Sequence, residues 1–171
     1  MDSLNKQPAN DIRDEALQEN WWTQPQREYM SDIPTRWDNE IEAGGRYMPP
    51  SGRIDINPYE MGPGNTQDAI PTMQHELRHA WQFNMLSPRE RMEWLDQYNL
   101  AVMQGRMQPE PERSYFPGEP NARALESYAR HPEDLPYEMY RFYEPPTTPV
   151  SQWPTPAWRR PVRPFDPSRA R

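Results

Sequence analysis

Proline limits the regular structure that this chain can form more than any other feature of its sequence. There are 23 prolines among 171 residues, whereas an average protein contains about 5% proline. Because proline has no N–H to donate and its ring clashes with the preceding helical turn, it is largely excluded from helix interiors and central strands. We therefore expect one compact domain with extensions, in which much of the chain is extended or turning.

Composition narrows the possible metal ligands and partners. The chain has no cysteine and a net charge of −7, so disulfides and thiolate ligands are excluded and any metal must be held by histidines and carboxylates. The acidic balance argues against a nucleic-acid partner. No stretch approaches the roughly 18 apolar residues of a membrane span, and the N-terminal residues lack the apolar region of a signal peptide. We expect a soluble protein and assign no compartment from composition.

The first third of the chain contains both helical and strand patterns. Residues 10–22 repeat apolar side chains at helical spacing behind an Asn/Asp cap, and residues 35–43 place two large apolar side chains one turn apart before a Gly–Gly pair. Both segments are predicted helices. Residues 46–48 and 53–57 instead lie on either side of a Pro–Pro–Ser–Gly turn, and the second of them alternates apolar and polar side chains. This pattern predicts a hairpin.

Two longer helices follow. Residues 68–84 repeat apolar side chains at i, i+4, i+7 and i+8, which predicts an amphipathic helix with one buried stripe. Residues 88–104 follow an N-cap, Ser87, whose capping box is completed by Glu90, and they end before Gly105. The apolar and aromatic side chains of this second helix suggest packing on more than one side.

The C-terminal part has fewer regular patterns. Residues 121–130 form a predicted helix that Pro132 ends, and residues 135–143 a short aromatic turn or helix. From 145 to 171 the chain contains 8 prolines and 5 arginines. Such a segment is expected to be polyproline-like or disordered when free. We expect a partner subunit to be what orders it.

The strongest chemical signal is the pentapeptide that runs from His75 through Glu76 to His79 on the predicted helix 68–84. Residues i and i+4 lie on the same helix face, so both imidazoles can bind one zinc ion. Glu76 is then placed to take a proton from water at the metal while that water attacks a carbonyl carbon. The alternative is that both histidines only form hydrogen bonds on an ordinary helix.

A catalytic zinc site usually has a third protein ligand. The downstream candidates are Glu126 and His131, together with glutamates of the preceding loop. Glu126 lies within the predicted helix 121–130, and a ligand on a helix is held more rigidly than one on a loop. His131 stays open as a rival ligand.

These residues resemble a known family. Residues 72–82 are similar to the active-site helix of gluzincin-type zinc metallopeptidases, particularly the short minigluzincin proteins of bacteriophages and prophages. The strand at 53–57 resembles the edge strand that borders their cleft. Residues 121–129 resemble their second helix, in which a glutamate is the third ligand. The resemblance covers roughly residues 46–130.

The resemblance implies a zinc ion held by His75, His79 and Glu126, with Glu76 as the catalytic base and a peptide or protein as the substrate. It also implies a setting, a phage particle or the cytoplasm of its host. In larger relatives an acid four residues after the third ligand supports a zinc histidine, but here Arg130 occupies that position.

Other residues near the motif have less defined roles. Tyr128, Tyr137 and Tyr140 are candidates for stabilising the oxyanion, although a tyrosine in such a position is more often a core or surface aromatic. Arg78 lies inside the motif but faces away from its metal side, so we expect it to form a surface ion pair.

The predicted fold class is α+β, with a small zincin-like core, mostly helical, and extended Pro-rich termini. We divide the chain into an N-terminal helical extension (1–44), the catalytic core (45–144) and a Pro/Arg-rich tail (145–171). Two functions fit this organisation. One is a zinc-dependent metallopeptidase, and the other is a structural or adaptor component of a larger assembly, such as a virion, with the tail contacting neighbouring subunits.

Overall fold

A computed structural model describes residues 8–58, 69–107 and 137–161. They form an α+β fold, as predicted, in which four α-helices accompany one three-stranded sheet. No helix within these ranges is both long enough and apolar enough to cross a bilayer. The α-helices and strands are α1 (Ala9–Leu17), α2 (Gln24–Met30), β1 (Thr35–Trp37), β2 (Gly45–Met48), β3 (Arg53–Ile56), α3 (Ala69–Met85) and α4 (Pro88–Met103). Three 3₁₀ segments follow at Tyr137–Tyr143, Val150–Gln152 and Ala157–Arg159.

The sheet has the order β1–β3–β2. Strands β2 and β3 form the predicted hairpin, an antiparallel pair in which Tyr47 lies opposite Ile54. The strand at 53–57 was expected at the edge of the sheet, and this was wrong. It is the central strand, because β1 pairs with its other side. Within the described residues, β2 is the outer strand nearest to α3.

The helix predicted at residues 35–43 was also wrong. Thr35 to Trp37 form β1, which runs parallel to β3 and places Trp37 opposite Ile56. Hydrogen bonds from Ile54 N to the Pro34 carbonyl (2.9 Å) and from Asp38 N to the Ile56 carbonyl (2.8 Å) flank the pairing. Pro34 and the Thr–Arg–Trp sequence favour an extended backbone, and a strand distant in sequence supplies the ladder.

Helices α3 and α4 lie where they were predicted. The capping box of α4 is present, with Glu90 N donating to Ser87 Oγ (3.2 Å) and Ser87 N to Glu90 Oε2 (2.7 Å). Gly105 follows the helix in the left-handed region, at φ 68°. The fully buried side chains of α4 form one stripe, Leu95 and Val102 pack partly buried against the core beside it, and three large apolar side chains are exposed. The buried residues are Trp94, Tyr98 and Ala101, and the exposed ones are Met92, Leu100 and Met103.

The segment assigned to an N-terminal extension contributes to the same core as the rest of the chain. Helix α1 packs along α3 and buries Ile12, Ala16 and Leu17 in the shared core. The chain then leaves α1 earlier than predicted, and Trp22 is buried after the helix has ended. Helix α2 was not predicted.

The first part of the tail packs on the chain's own body, although we expected only a partner to order it. Trp153 is buried, and its ring centre lies 5.3 Å from that of Tyr29 and 5.7 Å from that of Trp81. The Tyr29 hydroxyl donates to the Pro154 carbonyl (2.8 Å). Trp153 thus inserts into the core between two short 3₁₀ segments, Val150–Gln152 and Ala157–Arg159.

Candidate metal centre

Helix α3 carries the whole predicted pentapeptide and buries five polar side chains. Buried polar groups need hydrogen-bond partners, and for Gln74, Gln82 and Asn84 these include residues outside the helix. A helix with so many buried polar groups is surrounded by protein on several sides. The five are Gln74, Glu76, His79, Gln82 and Asn84.

His75 and His79 meet through their Nε2 atoms. These atoms lie 3.0 Å apart, and the two rings are nearly perpendicular, at 82°. His79 is buried, with 1% of its surface exposed, and His75 is half-buried. The two nitrogens that the i, i+4 spacing was expected to bring together are therefore adjacent, at the boundary between the core and more accessible surface.

This separation fits a shared zinc ion. Two nitrogens at about 2.0–2.1 Å from one tetrahedral zinc lie roughly 3.3 Å apart, close to the 3.0 Å observed between His75 and His79. The same distance also suits a hydrogen bond between the two imidazoles, in which one Nε2 carries the proton. In the hydrogen-bonded pair a proton lies between the two Nε2 atoms, and in the zinc site the metal ion takes its place.

Glu76 is buried against the start of β2. A Cβ atom added at Gly45 would lie 3.0 Å from both Cγ and Oε1 of Glu76 and 2.7 Å from Cγ2 of Thr72. A side chain at position 45 would therefore force Thr72 or Glu76 to shift where the strand passes this close to the helix. The carboxylate predicted to be the base lies between its helix and the nearest outer strand.

A residue that we did not predict supports His79. Nδ1 of His79 lies 2.8 Å from Oε1 of Gln82, and Nε2 of Gln82 donates to the Tyr143 hydroxyl at 2.7 Å. A second group bonded to the far nitrogen of a zinc histidine is common in metal sites. The signal available in the sequence was the i+3 spacing of Gln82 from His79.

Several predicted residues are not placed next to the histidine pair. Glu126 and its rival His131 lie outside the described residues, as do Tyr128, Arg130 and the predicted helix 121–130. Over the part of the chain that the structure describes, no group of three histidine, aspartate or glutamate residues could hold a metal ion. The third ligand stays a prediction.

Two other predictions about side chains near the motif can be followed. Tyr140 is half-buried and packs against the hydrophobic core. The guanidinium carbon of Arg78 lies 5.2 Å from the centre of the Trp21 ring, so this side chain stacks on an aromatic face.

An arginine-rich cluster covers the face of the sheet opposite the core. Asp55 is fully buried and accepts hydrogen bonds from Arg53 (2.7 and 3.1 Å), Arg46 (2.9 Å) and Arg36 (2.9 Å), one arginine from each strand. Burial alone would raise the pKa of Asp55, but these three guanidinium groups outweigh it and lower the pKa to about 2. The cluster therefore links all three strands through one carboxylate.

The described residues thus define an α+β protein in which a paired-histidine helix packs against a small mixed sheet. Comparisons of the chain with protein-family models, with curated protein sequences and with solved structures found no match.

Proposed function

We propose that this protein is a zinc-dependent metallopeptidase of the gluzincin type. The observation that carries the proposal is the convergence of the His75 and His79 Nε2 atoms to 3.0 Å on one face of α3, with Glu76 on the next position. The separation is close to that of two nitrogen ligands of one zinc ion, and Glu76, which follows His75 in the chain, is buried. The resemblance of residues 72–82 to a gluzincin active-site helix supports the same reading.

In this proposal each residue has one task. Zinc, when bound, supplies a Lewis acid that polarises a carbonyl and lowers the pKa of water at the site. His75 and His79 hold it, and Glu126 is the proposed third ligand. Glu76 takes a proton from the attacking water and returns it to the leaving amine. The burial of Glu76 keeps this proton transfer away from bulk solvent.

The substrate of this proposal is an extended peptide that pairs with β2. Strand β3 cannot accept it, because both of its sides are occupied by β1 and β2. Strand β2 begins at Gly45, beside Glu76. A peptide bound along β2 would present main-chain carbonyls to the site by strand addition.

Metal analysis followed by peptide cleavage tests the proposal. We expect the purified full-length protein to contain one zinc ion per chain and to cleave an unstructured peptide mixture, as followed by mass spectrometry. Glu76→Gln should keep the zinc and lose cleavage, whereas the same change at the exposed Glu15 on α1 should alter neither. A wild-type protein that binds no zinc at a stoichiometric level contradicts the proposal.

The alternative function is an adaptor in a larger assembly, with a zinc site that does not cleave peptides. Trp153 is buried in the chain's own core, so it is not accessible to a partner. A partner could contact exposed residues of the described tail, such as Arg160 and Pro161. Stoichiometric zinc without cleavage of any peptide, together with co-purification of a partner that Arg160→Glu disrupts, would favour it.

A further inference from the structure

We infer that Gln82 and Tyr143 are positioning residues that hold His79 in the tautomer able to bind a metal. The inference rests on the proposed zinc site and extends it to a support that comes from outside the motif. In neutral imidazole one nitrogen carries the proton and the other has the lone pair. A proton on Nδ1 of His79 leaves Nε2 free to act as a ligand, and Nε2 is the atom that faces His75.

The first step is the contact between His79 and Gln82. Nδ1 of His79 lies 2.8 Å from the Gln82 amide oxygen, which can only accept a hydrogen bond. Both side chains are buried, with 1% of His79 and none of Gln82 exposed. Water therefore has little access to this bond, and Oε1 of Gln82 is the acceptor that the structure places there. This bond selects the Nδ1–H tautomer.

The second step fixes the amide of Gln82. Its Nε2 donates to the hydroxyl of Tyr143 at 2.7 Å, so both ends of the amide are hydrogen-bonded in the observed orientation. A rotated amide would turn an N–H toward Nδ1 of His79 and shift the imidazole proton to Nε2, where it blocks a metal ion. Binding of zinc at Nε2 and the observed amide orientation thus favour each other.

The third step fixes Tyr143 itself. It is the last residue of the 3₁₀ segment Tyr137–Tyr143, and its carbonyl accepts a hydrogen bond from Nε2 of Gln26 at 3.0 Å. Its ring packs edge-on against Trp94, with the centres 5.2 Å apart. Residues of α2 and α4 therefore hold Tyr143, whose hydroxyl accepts the hydrogen bond from Gln82. A buried network in which each member is satisfied positions its groups firmly.

The competing role for Gln82 is structural, as a partner that satisfies a buried histidine. Stability alone does not separate the two roles, because either one is lost in Gln82→Met. Gln74 provides a matched control on the same helix. It is buried and bonds to Trp22 Nε1 (2.9 Å) and to the Ala16 carbonyl on the side of α1. Gln74→Met removes buried amide bonds that do not involve a histidine.

Zinc affinity of the full-length chain, measured by competition with a chelator, tests the inference. We expect Gln82→Met to bind zinc about 10–100-fold more weakly, Gln82→Glu to stay close to wild type because its carboxylate still accepts from Nδ1, and Tyr143→Phe to show a smaller loss. Gln74→Met should unfold more easily and keep its zinc affinity. Nitrogen-15 NMR of the metal-free imidazoles should show His79 as the Nδ1–H tautomer in wild type and a mixture in Gln82→Met.

The outcomes separate the inference from the function on which it rests. If the wild type binds no zinc, both are overturned. If the wild type binds zinc and Gln82→Met binds it equally well, or if Gln74→Met loses as much affinity, only the positioning role is overturned. Should Gln82→Met fail to fold, Tyr143→Phe still decides: a zinc affinity equal to that of the wild type, with no change in the His79 tautomer, would overturn the inference.

Discussion

Asp32 and Arg159 are 127 residues apart in sequence and form an ion pair with two hydrogen bonds, from Nε to Oδ2 at 2.7 Å and from Nη2 to Oδ1 at 2.8 Å. Trp158 Nε1 donates to the same carboxylate at 2.9 Å. The loop after α2 therefore anchors the tail at a defined place. A segment that looked suited to a partner is held by an acidic residue of its own chain.

The first prediction concerns this anchor. Arg159→Ala should release residues 157–161 but cost at most about 1 kcal/mol of global stability, because the pair is partly exposed and screened by solvent. Hydrogen exchange of the Ala157 amide, which donates to Asn84 Oδ1 at 2.8 Å, should accelerate. Arg89→Ala, which removes an exposed pair within α4, is the control and should leave that amide protected.

The second prediction concerns Trp153. Its indole is buried between Tyr29 and Trp81, so Trp153→Ala should lower the free energy of unfolding by about 3–5 kcal/mol. Urea unfolding measures this loss. A change at the exposed Gln152 is the neighbouring control. A loss below 1 kcal/mol for Trp153→Ala would show that the tail does not belong to the core in solution.

The third prediction is a pH dependence set by Asp55. Its pKa is about 2 in the folded chain and 3.8 ordinarily, so the folded state binds fewer protons and the stabilisation is complete above pH 4. It should be lost as the pH falls from about 4 to about 2. The two values correspond to roughly 2.4 kcal/mol, which we reduce to about 1–2 kcal/mol because the arginines are partly exposed.

Unfolding by urea at several pH values measures this dependence. Asp55→Asn should remove the acid limb, which is the fall in unfolding free energy between about pH 4 and about pH 2. It should also lower stability at neutral pH by about 3 kcal/mol, because three guanidinium groups lose their shared carboxylate. Asp14→Asn removes an exposed partner of Arg13 and should leave the acid limb of the wild type intact. An unchanged limb in Asp55→Asn would contradict the assignment.

The fourth prediction concerns the contact between β2 and α3. Gly45→Ala should place a methyl group against Thr72 and Glu76, costing about 1–3 kcal/mol of stability by overpacking. It should also reduce peptide cleavage more than zinc binding, because it displaces the proposed base and not the histidines. Ala43→Gly, a change of the same size two residues earlier, is the control. Wild-type cleavage by Gly45→Ala would argue against Glu76 as the base.

The parts of the fold that sequence could predict are those with local signals. Helix α3 followed from the periodicity of its apolar side chains, and α4 from its N-cap, capping box and terminal glycine. Helix α2 has only seven residues and little apolar repetition. Its signal was the capping box between Thr23 and Gln26, which the structure contains.

The parts that sequence could not predict depend on distant partners. Strand β1 is extended because β3 lies beside it, and the sequence of its three residues does not indicate which strand it pairs with. For the same reason, nothing near Trp153 indicated that its ring enters the core. At the site, the helical spacing predicted the meeting of His75 and His79, but the link from Gln82 to Tyr143 joins residues 61 apart in sequence.

The buried polar side chains of α3 also have a consequence for protein synthesis. The partners of Gln74, which are Trp22 and Ala16, leave the ribosome before the helix. The Tyr143 partner of Gln82 and the Ala157 partner of Asn84 leave after it. Until Tyr143 emerges, a nascent chain would hold its histidine pair on a helix whose Gln82 amide lacks this hydroxyl partner. The proposed metal site therefore gains this support for His79 only after Tyr143 has been synthesised.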